Sequence, residues 1–85
     1  METNPIKKWR KEKGVTREAL AVLLGINYWT LTRVECGQWN SITPALAQRL
    51  KGLGYPGDPN ADYRAWREKL REELEEKMRR VIKEK

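Results

Sequence analysis

Apolar residues along the first two thirds of the chain recur at steps of three and four rather than two, which predicts helices. Leu20, Ala21 and Leu24 form one stripe, Gly25 interrupts it, Ile26 follows, and the period resumes at Leu31 and Val34. The pattern describes two short amphipathic helices meeting at a tight glycine corner. Ala21 is small enough for close helix approach, and Gly25 can take the positive φ that a sharp turn needs. Two such helices cannot bury their stripes alone, so a small helical bundle must surround them. The helix ends are marked as well. Asn4-Pro5 supplies a cap and a first-turn proline for a helix running to about Lys13, with Gly14 as its stop. Thr16 caps a second helix, with Val15 placed to staple against Leu20. Asn27 caps a third, flanked by Ile26 and Leu31 in the same relation, and Gly37 ends it. Thr43-Pro44 opens a fourth to about Lys51, stopped by Gly52 or Gly54.

Beyond these, Tyr55-Pro-Gly-Asp-Pro-Asn60 reads as a linker, and residues 61–85 as one long helix capped by Asp58 or Asn60. The expected organisation is a bundle over 4–54, a linker over 55–60 and an amphipathic helix over 61–85. Tyr63, Trp66, Leu70, Leu74, Met78 and Val81 or Ile82 form a stripe on that last helix, while its other faces mix Lys and Arg with Glu. The stripe can pack on its own bundle, the charged faces carrying i,i+4 pairs, or it can serve a dimerisation arm. A helix of about 24 residues spans about 36 Å, longer than four short helices easily cover. Its far half would otherwise expose Leu74, Met78 and Val81, which favours the arm.

The third helix projects its first turn outward, and such a helix fits a DNA major groove. Composition is consistent with this: 85 residues make one small domain, and a net charge of +6 favours a polyanionic partner. Cys36 is the one cysteine, which excludes an internal disulfide and fits a reducing compartment. No apolar run approaches a membrane span and the first residues lack a signal-peptide core, so the cytoplasm is the expected location. The chain has no histidine, and its two aspartates, Asp58 and Asp62, sit at the linker. No Cys/His set could hold zinc, no glycine-rich phosphate loop is present, and no nucleophile has a base beside it. Neither an enzyme nor a cofactor is expected.

From about Ile6 to Leu53 the chain resembles the phage repressor/Cro-like, or XRE-type, helix-turn-helix regulators. The residues that carry the resemblance are Ile6-Lys-Lys-Trp-Arg10, Gly14-Val-Thr16, Glu18-Ala-Leu-Ala21, Leu24-Gly-Ile26, Leu31, Arg33-Val-Glu35, Gly37 and Pro44-Ala-Leu46. It implies an all-α fold, a four-helix repressor-like helix-turn-helix bundle plus here a long C-terminal helix. The implied partner is double-stranded DNA, bound sequence-specifically by a homodimer on a two-fold operator. It also implies that Tyr28, Trp29 and Arg33, with Thr32 beside them, meet base edges. Arg33 can donate two parallel hydrogen bonds to guanine, whereas Trp29 offers an apolar face to a thymine methyl. A buried aromatic is the alternative for Trp29, although Leu31 and Val34 already occupy the inward face. Thr16 and Arg17, at the start of the second helix, are phosphate candidates. Gln38, Asn40 and Ser41 are a second set, equally explicable as turn residues, and Trp39 among them can simply cover the core. The resemblance further implies an internal ion pair between Arg10 and Glu35. A function in another class remains open, an antitoxin-type module whose C-terminal helix binds a partner protein.

Overall fold

A computed structural model describes residues 3–83, with side chains to 82. Five helices follow one another: α1 (Pro5–Glu12), α2 (Arg17–Leu24), α3 (Tyr28–Glu35), α4 (Pro44–Gly52) and α5 (Pro59–Lys83). No strand occurs among the described residues, so the fold is all-α, a helix-turn-helix bundle with a long C-terminal helix. The last two residues of the helix expected over 61–85 lie outside the described residues.

Local chemistry sets the boundaries. The Asn4 Oδ1 accepts from the Ile6 and Lys7 amides at 2.9 and 3.1 Å, satisfying donors that the first turn of α1 leaves unpaired. Its Nδ2 donates to the Val34 carbonyl at 3.0 Å, so one buried asparagine caps α1 and ties it to the end of α3. Thr16, Asn27 and Thr43 cap α2, α3 and α4 by accepting from Ala19, Trp29 and Leu46. Between α2 and α3, Gly25 adopts φ +68°, and the Arg49 guanidinium donates to the Leu24 carbonyl beside it. At that positive φ a side chain would strain the backbone, so the corner favours glycine.

The core gathers Ile6 and Trp9 of α1, Leu20, Ala21 and Leu24 of α2, Leu31 and Val34 of α3, and Leu46 and Leu50 of α4. α5 completes it, packing on α1 and α4. Here the structure departs from the expected division. Segment 55–60 is a packed corner rather than a spacer: Tyr55 is buried edge-on to Trp9, with ring centroids 5.5 Å apart, and Pro59 is buried where α5 begins. The Tyr55 hydroxyl donates to Asp62 at 2.9 Å, and burial together with that carboxylate pushes its pKa up, so it remains a neutral donor. Asp58 caps α5 through the Asn60 and Ala61 amides, leaving the Asn60 side chain for another use.

The stripe on α5 divides in two. Tyr63 and Trp66 are buried in the chain's own core and Leu70 is partly buried against it, which corrects their expected place in a dimer surface. Leu74, Met78, Val81 and Ile82 are exposed. The molecule measures 48 × 22 × 21 Å, and α5, about 37 Å long, accounts for its long dimension. Its distal half is laced by Arg71–Glu75 and Arg80–Glu76 pairs at 3.2 and 3.5 Å, exposed contacts worth a few tenths of a kcal/mol each, roughly.

Trp66 lies against Gly37, whose φ is +77° and whose added Cβ would come within 2.7 Å of the indole ring. Gly14 has a similar φ of +69° but open space around it. Gly14→Ala should therefore cost about 1–2 kcal/mol of backbone strain, and Gly37→Ala that amount plus about 1–3 kcal/mol of overpacking. Urea unfolding of the two variants measures the difference, and equal losses would contradict the Trp66 contact.

Candidate nucleic-acid interface

α3 is short, and its two sides differ sharply. Leu31 and Val34 are fully buried against α2 and the core. Because side chains three apart share a helix face, Tyr28, Trp29, Thr32 and Arg33 are turned away from that side, while Glu35 at the end of α3 is buried with it. Trp29 is 66% exposed, Arg33 is exposed, and Tyr28 and Thr32 are half-buried between them and the core. The four residues expected at base edges thus share one outer face. The Thr32 hydroxyl donates to the Tyr28 carbonyl at 3.0 Å, which leaves its oxygen lone pairs as acceptors. The Tyr28 and Trp29 rings meet edge to face, 5.4 Å apart with an interplanar angle of 81°.

The last residue of α3 anchors this face. The Glu35 carboxylate, with only 1% of its side chain exposed, receives Arg10 Nε at 3.0 Å and Arg10 Nη2 at 3.1 Å. Arg10 Nη1 donates further to the Val15 carbonyl at 2.9 Å, just before α2. Arg10 and Glu35, the ion pair implied by resemblance, are therefore a two-pronged bridge between α1 and α3.

Sequence reasoning missed a third member. Arg17 Nε donates to Glu35 Oε1 at 3.3 Å, and its guanidinium lies 5.9 Å from the centre of the Tyr28 ring. Burial opposes the Arg17 charge, but Tyr28 and Glu35 outweigh it and raise its pKa. Arg17 remains a quarter exposed, beside the outer face of α3. Nothing in the spacing of 17 and 35 singles out this contact. The clue available was chemical, a second arginine one residue after a helix cap.

The remaining phosphate candidates fall in two places. Thr16 is exposed at the start of α2, its hydroxyl oxygen accepting in the cap while its O–H stays able to donate. Gln38, Asn40 and Ser41 are exposed on the loop leaving α3, while Trp39 between them is half-buried against the core.

A helix-turn-helix family model matches residues 6–50, which takes in α2, α3 and the turn between them, and nearly all of α1 and α4. The chain belongs to the XRE/Cro-like helix-turn-helix family. No curated protein and no solved structure shows a significant match. The family comprises DNA-binding transcription regulators, not enzymes. Among the described residues no helix is long and apolar enough to cross a membrane, and no acidic or Cys/His group is arranged to hold a metal ion.

Arg10→Met leaves the Glu35 carboxylate buried with Arg17 as its remaining cationic partner among the described residues. We expect the folded state to lose about 3–5 kcal/mol in chemical denaturation. A loss below about 1 kcal/mol would show that the bridge is not what fixes α3.

Proposed function

We propose that this chain is a sequence-specific double-stranded DNA-binding regulator, a repressor that acts as a cytoplasmic homodimer on a two-fold operator. The observation that carries the proposal is the outward face of α3, where Trp29 and Arg33 project beside Arg17 from a helix anchored at Glu35. Arg33 discriminates guanine by paired bonds in the major groove, and Trp29 offers its apolar face to a thymine methyl. Arg17, Thr16 and the polar residues Gln38, Asn40 and Ser41 contact phosphates and set the register of α3 on the duplex. Occupying the operator excludes polymerase or a competing regulator.

Dimerisation falls to the exposed half of the α5 stripe. Leu74, Met78, Val81 and Ile82 are large apolar residues left exposed among the described residues. A two-fold pair would place two α3 helices about one helical turn of DNA apart, near 34 Å. The same surface supports the second reading, an antitoxin-type module whose C-terminal helix takes a partner protein.

Affinity should fall steeply with salt, with a log–log slope of about −5 for roughly six neutralised phosphates, and Arg33→Ala should relax preference at one base pair. Fluorescence anisotropy on duplexes from a selected library checks both, and a slope near zero would refute groove binding. Leu74→Glu with Met78→Glu should turn a dimer into a monomer in sedimentation while leaving the bundle folded. A wild-type monomer that associates only with a separate protein would favour the second reading.

A further inference from the structure

We infer that α5 shapes the phosphate-facing loop after α3, with Asn60, Tyr63 and Arg67 acting as positioning residues for Gln38, Asn40 and Ser41. The inference rests on the DNA-binding proposal above. Residues 37–42 contain no helix or strand, so bonds from outside must set their shape. The Gly37 and Gln38 amides bond back to the end of α3 at 3.1 and 3.0 Å, and the bonds further along come from successive turns of α5. The Asn60 Oδ1 accepts from the Ile42 amide at 3.3 Å. The Tyr63 hydroxyl donates to the Trp39 carbonyl at 2.7 Å, and Arg67 Nε donates to the Gly37 carbonyl at 2.9 Å. Steps of three and four put residues 60, 63 and 67 on one face of α5, and the loop runs antiparallel along it. Trp66 adds a fourth anchor by packing on Gly37.

The clamp also sorts the loop's chemistry. Gly37 and Ile42 are buried and Trp39 half-buried, whereas Gln38, Asn40 and Ser41 are exposed. A phosphate oxygen only accepts hydrogen bonds, so a backbone carbonyl facing it would repel it. Turning the Gly37 and Trp39 carbonyls onto α5 takes two acceptors away from the outer side and leaves amide and hydroxyl donors there. Holding the loop in place beforehand also removes an ordering cost from binding. Burial raises the Tyr63 pKa, which keeps its hydroxyl protonated as a donor. All three clamp residues lie outside the segment matched by the family model, so this arrangement is built by the C-terminal helix.

The test uses full-length Tyr63→Phe and Asn60→Ala, which leave net charge unchanged, and Tyr63→Phe retains the buried ring. Dissociation constants are measured over a salt series for a duplex selected by the wild-type protein and for a random duplex, with folding checked by circular dichroism. Each folded variant should bind both duplexes about threefold to tenfold more weakly, with a slope shallower by about 0.9 for every phosphate that is no longer neutralised. The ratio between the duplexes should not change. A slope equal to wild type, or a weakening confined to the selected duplex, would overturn the clamp while leaving the DNA-binding proposal standing. Wild-type protein without salt-dependent binding would defeat that proposal, and the clamp with it.

Discussion

The carboxylate of Glu35 is a buried negative charge at the C-terminal end of α3, where the helix dipole disfavours it and water cannot reach it. It is tolerable because Arg10 grips it from α1 with two bonds and Arg17 reaches it from α2 with a third. Three helices must therefore assemble together before the charge is satisfied. Apolar packing of Leu31 and Val34 is non-directional, so by itself it sets the roll and slide of α3 less sharply. Directional bonds to a single carboxylate restrict both motions, and the bond from Asn4 to the Val34 carbonyl adds a fourth restraint one residue earlier.

From that anchor the order extends outward. Arg17 touches Glu35 on one side and the Tyr28 ring on the other, and Tyr28 holds the edge of Trp29. An unbroken series of contacts thus leads from a buried charge to the most exposed aromatic on α3. The surface that meets a ligand is arranged in advance, which lowers the side-chain ordering that binding would otherwise require. At the other end of α3, α5 packs its aromatic residues under the loop and bonds to the loop's backbone.

What could be read from the sequence follows the range of each interaction. The caps at Asn4, Thr16, Asn27 and Thr43 are local chemistry, so helix starts could be placed to the residue. Leu31 and Val34 identify the inner face of α3 by period alone, and the outer face follows by exclusion. The corner at 55–60 was misjudged because Pro, Gly and Asp show where a chain bends, not what the bend packs against. Its burial depends on Trp9, 46 positions before Tyr55. The stripe on α5 has the same difficulty in another form. A helical period reveals which residues share a face, and it is identical whether that face meets its own core or a second chain. The change between Trp66 and Leu74 comes from the bundle ending there, a property of three-dimensional extent. Arg17 is legible as a phosphate candidate, but its bond to Glu35 is not, because many arginines in a basic chain could serve one carboxylate.

The central claim is that the outer face of α3 enters a duplex while the interior anchoring it stays unchanged. Fluorine resonances of 5-fluorotryptophan-labelled protein, assigned by single substitution and followed during titration with duplex DNA, test this most directly. The account predicts that the Trp29 signal shifts and loses its solvent exposure while the signals of Trp9 and Trp66 hold their positions. DNA binding that leaves the Trp29 resonance unmoved would contradict it.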